Sequence, residues 1–148
     1  MAKIRLTKEF KFEMAHALLG YDGPCKNIHG HSYYLYVTVR GNTIFNNNSS
    51  QNGMVMDFTE LKEIVKTEIT DRLDHALALN ENTPKEIINS LKSFDNLVLL
   101  PYQPTCENML IDFASRIIKK LPSHISLFSL KLCETVTSSA EWFADDNI

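Results

Sequence analysis

The stretch of sequence that decides the fold is KIRLTKEFKFEMAH, residues 3–16. Polar and apolar residues alternate along it, and one face carries Phe10, Phe12, Met14 and His16. A period of two is typical of a β-strand that is buried on one face. Residues 31–40 alternate in the same way and are rich in aromatic and β-branched residues. We therefore predict two strands, joined by a segment that is too long for a tight hairpin turn.

The residues that follow predict three helices and two further strands. The helices are marked by apolar residues at helical spacing and by capping or breaking residues: 58–72 with Asp57 as N-cap, 84–92 beginning near Pro84, and 105–121 between Thr105 and Pro122. The strands are 125–136 and 140–144. Residues 97–100 are too short to classify, and the Asn-rich segment 46–53 is predicted to be a mobile surface loop.

This order of elements excludes a doubly wound parallel sheet and favours the α+β class. We expect a four-stranded antiparallel sheet with two main helices packed on one face. Such a sheet has exposed edges, which proteins often satisfy by forming oligomers. At 148 residues the chain is expected to form a single domain, 1–148.

Composition excludes several classes of function. The chain is 44% hydrophobic and 22% charged, as in ordinary globular proteins, and its formal net charge is −3. A protein that coats nucleic acid needs a basic surplus, so we expect no nucleic-acid partner. No apolar run approaches the roughly 20 residues of a membrane span, and the N-terminus does not resemble a signal peptide. We therefore expect a cytoplasmic protein with no membrane partner.

Three of the five histidines have an unusual arrangement. His29 and His31 are two residues apart at the start of the second strand, so their imidazoles point to the same face. His16 ends the first strand, and antiparallel pairing of the two strands would bring all three together. Three histidines with one open position are typical of catalytic zinc. An H-x-H pair alone is weak evidence for metal, and buried core histidines remain the alternative.

Cys25 lies four residues before His29 and is the cysteine with the clearest chemical interpretation. A neighbouring cation lowers the pKa of a thiol, so Cys25 is a candidate thiolate. It is equally a candidate for a fourth metal ligand, which would close the site. Cys106 and Cys133 are expected to pack or to line the pocket, because free cysteines are usually buried and three cysteines form no disulfide framework.

Two further positions carry carboxylates in unusual places. Glu134 continues the predicted apolar face of Phe128, Leu130 and Leu132, where a carboxylate needs a partner unless it reaches solvent at the strand end. The adjacent pair at positions 74 and 75, an aspartate and a histidine, follows the first helix. Such a pair is either a helix cap or a proton relay.

Six motifs of this chain occur in an order that resembles one known family. They are Cys25-x-x-x-His29-Gly30-His31, His16 after its strand, Gly53-Met54-Val55-Met56-Asp57-Phe58, Leu73-Asp74-His75, Pro104-Thr105-Cys106-Glu107-Asn108 and Glu134-Thr135. Together, over roughly residues 5–143, they resemble the 6-pyruvoyl-tetrahydropterin synthase family. They are most similar to its bacterial branch that forms 6-carboxytetrahydropterin in queuosine biosynthesis.

The resemblance implies the tunnelling fold, in which subunits of a trimer, or of a hexamer of two trimers, join their sheets into a β-barrel. It implies a zinc-dependent lyase that converts 7,8-dihydroneopterin triphosphate to 6-carboxy-5,6,7,8-tetrahydropterin, acetaldehyde and triphosphate. The roles implied are Zn²⁺ ligands for His16, His29 and His31, general base for Cys25, relay for Asp74 and His75, pterin anchor for Glu134, and substrate contacts for Thr105 and Glu107.

The branch within the family depends on the residues around Cys25. The three-residue spacing from Cys25 to His29 is similar to the carboxy-forming branch, whereas pyruvoyl-forming enzymes have a longer spacer and a folate-route branch has Glu in place of the cysteine. Two alternatives remain: a pyruvoyl-forming enzyme that eliminates triphosphate without carbon–carbon cleavage, and a non-catalytic pterin- or zinc-binding module. The relay pair weighs against the module, because a binder needs no relay. Loop 46–53 and helix 84–92 depart from the shortest family members.

Overall fold

The computed structural model describes residues 2–147 and contains one six-stranded sheet. Its centre is a pair of long antiparallel strands, β1 (Lys3–His16) and β2 (His29–Asn42). They pair residue for residue over their whole length, from Lys3 opposite Asn42 to His16 opposite His29. The bounds predicted for the first strand are confirmed, and the second extends two residues beyond its prediction at each end.

Four shorter strands complete the sheet, in the order β4-β3-β1-β2-β5-β6. They are β3 (Ala76–Asn80), β4 (Leu97–Leu100), β5 (Ser126–Cys133) and β6 (Ser139–Phe143). On one side, β5 pairs antiparallel with β2, and β6 pairs antiparallel with β5. On the other side, β3 runs parallel to the end of β1, and β4 runs parallel to β3.

The prediction of a four-stranded, purely antiparallel sheet is therefore wrong. The two strands that it omits, β3 and β4, are short and show no clear alternation of apolar and polar residues. A short apolar run cannot be distinguished from a helical segment by its period. The parallel pairing of these strands depends on contacts with β1 that are distant in sequence.

Within residues 2–147, four α-helical segments accompany the sheet: α1 (Phe58–Val65), α2 (Asp71–Leu73), α3 (Lys85–Leu91) and α4 (Cys106–Ile118). The side chain of Asp57 accepts a hydrogen bond from the backbone N–H of Thr59, and that of Thr105 accepts one from Asn108, so both predicted N-caps are confirmed. The apolar stripes of α1 and α4 share one core with the inward-facing residues of β1, β2 and β5. The two main helices thus cover one face of the sheet, as predicted.

The helix predicted over 58–72 is interrupted by a π-helical turn, Lys66–Thr70, between α1 and α2. Its buried residues, Leu61, Val65, Ile69 and Leu73, recur every four positions. A regular α-helix rotates by about 40° over each such step, which would carry the later residues away from the core. The wider turn reduces this rotation, and Ile69 and Leu73 stay buried.

Strand β5 contains a bulge that reverses the orientation expected for Phe128. The register with β2 shifts between Thr38 and Val39, so Leu127 and not Phe128 lies on the core face with Leu130. A bulge adds one residue to a strand and moves its side chains to the opposite face. The ring of Phe128 instead packs under the guanidinium of Arg5, 3.7 Å from the ring centroid.

The Asn-rich segment lies on the surface and is closed at its base by two backbone hydrogen bonds. Ile44 donates to the carbonyl of Met54, and Gly53 donates to the carbonyl of Ile44. Among residues 2–147, no helix combines the length and the apolar character that crossing a bilayer requires.

Candidate active site

Three histidines converge at the end of the sheet where β1 ends and β2 begins. His16 and His29 are direct partners in the antiparallel register, and His31 lies two residues further along β2. The Nε2 atoms of His16 and His29 are 3.1 Å apart. One ring nitrogen from each of the three lies within 4.8 Å of the others. The predicted meeting of the three imidazoles is confirmed, and its cause is the register of two strands.

Backbone carbonyls fix the orientation of two of these rings. Nδ1 of His16 is 2.7 Å from the carbonyl oxygen of Pro104, and Nδ1 of His29 is 2.7 Å from that of Asn27. A carbonyl only accepts, so each Nδ1 carries the proton and donates it. In the neutral ring, Nε2 is then left with a free lone pair, which is the form that ligates metals.

The electrostatics of the cluster favour a cation. Burial lowers the pKa of His16 below its ordinary value, and the neighbouring His29 lowers it further, although the hydrogen bond to Pro104 opposes both. His16 is therefore neutral near pH 7. Its Nε2 atom lies 3.1 Å from that of His29, and Nε2 of His31 is buried with no hydrogen-bond partner within residues 2–147. A metal ion bound by the three nitrogens would give each of them a partner.

The donor set fits a divalent transition-metal ion, because imidazole nitrogens suit such ions. Oε1 of Glu134 lies 3.4 Å from Nε2 of His31 and 3.5 Å from Nε2 of His16, so a carboxylate borders the cluster. Cys25 is not part of the cluster, which among the described residues consists of the three histidines alone. This geometry gives no support to Cys25 as a fourth ligand.

A cavity of about 300 Å³ opens beside the cluster and brings five predicted site residues together. They are His16, Cys25, Thr105, Glu107 and Glu134. Thr105 caps α4 and Glu107 lies in its first turn, while Glu134 directly follows β5. The backbone N–H of Glu134 donates to the carbonyl of Ser138, which closes the hairpin between β5 and β6.

Two contacts hold the loop that carries Cys25. The carbonyl of Cys25 accepts a hydrogen bond from the backbone N–H of Leu18 at 2.9 Å. The side-chain amide of Gln103 accepts a hydrogen bond from the backbone N–H of Leu19 and donates one to the carbonyl of Leu19. This is the pattern of hydrogen bonds that a paired strand residue would make. Gln103 thus joins this loop to the segment that supplies the Pro104 carbonyl, so one short segment positions both the thiol and a histidine.

The relay candidates Asp74 and His75 form a pair but lie outside this cavity. Nδ1 of His75 is 3.1 Å from Oδ1 of Asp74, which also accepts the backbone N–H of Glu13. The N–H of His75 donates to the carbonyl of Glu13 and helps to hold the residue at a φ of 63°, which is rare for any residue except glycine. The side chain of His75 is 79% exposed and borders a second cavity, together with His31. One chain alone does not bring the pair to Cys25.

The remaining cysteines have the environments expected of packing residues. Cys106 is buried at the start of α4 and lines the cavity. Burial, with the nearby charge of Glu134, raises the pKa of its thiol to about 12, so it stays protonated. Cys133 is half-buried beside Glu134.

Sequence reasoning missed several residues that shape the site. The carbonyls of Pro104 and Asn27 carry no side-chain signal, and Gln103 is recognisable only from its contacts with a loop 84 residues away. Tyr33 could have been found, because it lies two residues after His31 on the same face of β2. Its side chain is fully buried next to the histidines.

Comparison with known proteins adds an independent line of evidence. The family model described as 6-pyruvoyl tetrahydropterin synthase matches residues 5–145. A Haemophilus influenzae protein named 6-carboxy-5,6,7,8-tetrahydropterin synthase is 36% identical over 93% of this chain and 97% of its own length. A Synechocystis protein of the same name is 33% identical over 93% of this chain and 91% of its own length.

Solved structures agree on the fold. An uncharacterised protein from Wolinella succinogenes superposes with a TM-score of 0.77 at 19% identity, covering 97% of this chain and 99% of that one. The 6-pyruvoyl tetrahydropterin synthase of Caenorhabditis elegans superposes with a TM-score of 0.68 at 22% identity, covering 97% of each chain.

Replacing a cluster histidine should remove bound metal. We expect His29→Ala to lose most of the metal that the wild-type protein binds, because two nitrogens hold a cation far more weakly than three. His124→Ala is the matched control, since this histidine is exposed and outside the cluster. Metal analysis of the purified proteins measures the effect.

Full metal content in His29→Ala would contradict the assignment. Wild-type protein should also lose metal on acidification, since protons compete for the same nitrogens.

Proposed function

The chain belongs to the 6-pyruvoyl tetrahydropterin synthase family, and on that premise we propose that it is a zinc-dependent carbon–carbon lyase. Its substrates are 7,8-dihydroneopterin triphosphate and water, and its products are 6-carboxy-5,6,7,8-tetrahydropterin, acetaldehyde and triphosphate. The observation that carries the proposal is the cavity lined by Cys25, Glu134 and His16, the last of which belongs to the three-histidine cluster. We place the reaction in queuosine biosynthesis, in the cytoplasm, and assign it to one domain, 1–148.

The carboxy-forming reaction is favoured over the pyruvoyl-forming one by two observations. The relatives at 36% and 33% identity carry the carboxy-forming name. Cys25 and His29 are also separated by three residues, the spacing of that branch. The pyruvoyl-forming reaction remains the second candidate, because the solved structure from C. elegans has that name and the same fold.

Recognition of the pterin is assigned to Glu134. A carboxylate accepts two parallel N–H bonds, and the pterin presents two such donors on one edge, its 2-amino group and the adjacent ring N–H. Glu134 is half-buried and lines the cavity, so these charged hydrogen bonds would form away from bulk water. Thr105 and Glu107 border the same cavity and are proposed to make further contacts with the substrate.

His16, His29 and His31 would hold the zinc ion, with their backbone partners fixing the rings. Bound there, Zn²⁺ would act as a Lewis acid that polarises the side-chain hydroxyls of the substrate and acidifies the neighbouring C–H protons. Cys25 is proposed to remove a proton from this side chain. Its position in the wall of the cavity, outside the metal cluster, leaves its sulfur free for that task.

Asp74 and His75 are proposed to serve the cavity of a neighbouring subunit. Strand β3 pairs with β1 only at residues 14–16, and β6 is the last strand on the other side of the sheet. Pairing of β6 from one subunit with the free edge of β1 from the next would extend the sheet towards a barrel. It would also bring Asp74 and His75, which are bonded to Glu13, towards the β5–β6 hairpin that lines the partner's cavity. A trimer, or a hexamer of two trimers, satisfies this arrangement.

Product analysis tests the reaction itself. Incubation with 7,8-dihydroneopterin triphosphate should yield 6-carboxytetrahydropterin and acetaldehyde in equal amounts, detected by mass spectrometry and by an aldehyde-trapping reagent. Triphosphate release without acetaldehyde would identify the pyruvoyl-forming reaction, and no turnover by metal-loaded protein would favour a binding module.

Variants of Cys25 and Glu134 should fail in different ways. Cys25→Ala removes the base but no ring contact, so it should bind a dihydropterin while turnover falls by roughly 10²–10⁴. Glu134→Ala should bind at least about tenfold more weakly, because two ligand N–H groups lose a charged acceptor. Calorimetric titration and single-turnover assays measure the two effects.

Cys133→Ala is the control for Cys25→Ala and should keep most of the activity. Near-normal turnover in Cys25→Ala, or loss of its zinc, would show that Cys25 is not the base.

Sharing of the site between subunits predicts complementation. Cys25→Ala and His75→Ala should each be inactive, but their co-expression should restore about a quarter of wild-type activity. In randomly mixed oligomers, about one site in four combines an intact Cys25 with an intact neighbouring His75. An active monomer in sedimentation, or mixed oligomers no more active than either parent, would contradict the arrangement.

A further inference from the structure

Tyr33 is a buried polar residue that the proposed reaction does not use. Its side chain is fully buried on β2. The ring stacks on Phe12 with centroids 5.0 Å apart and planes 8° apart. It also meets the rings of His31 and His16 edge to face, at 5.5 and 6.3 Å. Because the ring is held on several sides, the position of its hydroxyl group is fixed by packing.

The hydroxyl group of Tyr33 has no hydrogen-bond partner within residues 2–147. An unsatisfied buried hydroxyl costs stability, and a phenylalanine of the same shape would avoid the cost. The hydroxyl group is a hydrogen-bond donor, and the Glu134 carboxylate beside it is an acceptor.

We propose that Tyr33 is a positioning residue. Its hydroxyl group donates to the Glu134 carboxylate when pterin is bound and holds that carboxylate in place for the 2-amino group and the ring N–H of the pterin. The inference rests on the proposed function, since it takes Glu134 as the pterin anchor. Oε1 of Glu134 lies within 3.5 Å of Nε2 of His16 and of His31. Histidines that ligate a metal through these nitrogens offer Glu134 no proton there, whereas the Tyr33 hydroxyl group is a buried donor that has no hydrogen-bond partner within residues 2–147.

This role has a distinct energetic signature. The hydrogen bond forms together with the contacts to the pterin, so its free energy adds to binding and leaves the proton transfer at Cys25 unchanged. Removing the hydroxyl group should raise KM much more than it lowers kcat. Because the hydroxyl group has no hydrogen-bond partner within residues 2–147, its removal should not lower stability.

The first experiment compares Tyr33→Phe with the wild-type protein, both loaded with zinc. Titration with 7,8-dihydroneopterin, which lacks the triphosphate leaving group, should show binding about tenfold weaker in the variant, the loss expected for one hydrogen bond to a charged group. Its metal content should be unchanged, and the ligand-free Tm should be equal or higher.

Tyr102→Phe is the matched control. Its hydroxyl donates to Oδ2 of Asp112 at 2.6 Å and does not line the cavity. This variant should show the opposite result, a lower Tm with unchanged binding of dihydroneopterin.

The second experiment repeats Tyr33→Phe in a Glu134→Gln background. If Tyr33 acts through Glu134, most of the tenfold loss should disappear there, because coupled residues are not additive. An equal loss in both backgrounds, or wild-type affinity in Tyr33→Phe, would overturn the inference while leaving the proposed function in place. A wild-type protein that binds no dihydroneopterin would contradict the proposed function, and the inference with it.

Discussion

The full-length antiparallel pairing of β1 with β2 is the constraint on which the rest of this structure depends. It places His16 opposite His29 and, through the period of two, His31 on the same face. A slip of one residue would turn every side chain of one strand to the other face and separate the three imidazoles. The same register packs Phe12 and Leu35 into the core under the two main helices. The metal-binding cluster is therefore a consequence of the same pattern that folds the sheet.

The end of this strand pair is a region of unsatisfied polar groups. Two imidazoles are oriented by backbone carbonyls so that their Nε2 atoms face each other. Within the described residues 2–147, the Nε2 atom of a third imidazole and a phenol hydroxyl group are buried without hydrogen-bond partners. Buried polar groups without partners are rare in folded proteins, and they concentrate at functional sites. A cation on the nitrogens, together with a ligand that bonds Glu134, would satisfy this region.

The sequence was most informative where the alternation of a strand also positions metal-ligating side chains. The alternation of polar and apolar residues located β1. The histidine cluster was located by His16 at the end of β1 and by two histidines two residues apart at the start of β2, because side chains two residues apart on a strand point to the same face. The strands β3 and β4 escaped prediction because their parallel pairing is set by distant contacts. Phe128 was assigned to the wrong face because a bulge interrupts the period of β5.

The location of Asp74 and His75 also lay beyond the sequence, since the loop that carries them is fixed by backbone bonds to Glu13. The motifs identified Asp74 and His75 as a pair, but only the three-dimensional structure shows that the pair lies outside the cavity lined by Cys25.

The central claim is that a three-histidine metal site lies beside a cavity in which the carboxylate of Glu134 binds the pterin ring. It is tested most directly by a crystal structure of the zinc-loaded protein with a bound dihydropterin, with anomalous diffraction recorded at the zinc edge. The account predicts one strong anomalous peak per subunit at the Nε2 atoms of His16, His29 and His31, with the pterin edge hydrogen-bonded to Glu134. An anomalous peak elsewhere, or a pterin bound away from Glu134, would contradict it.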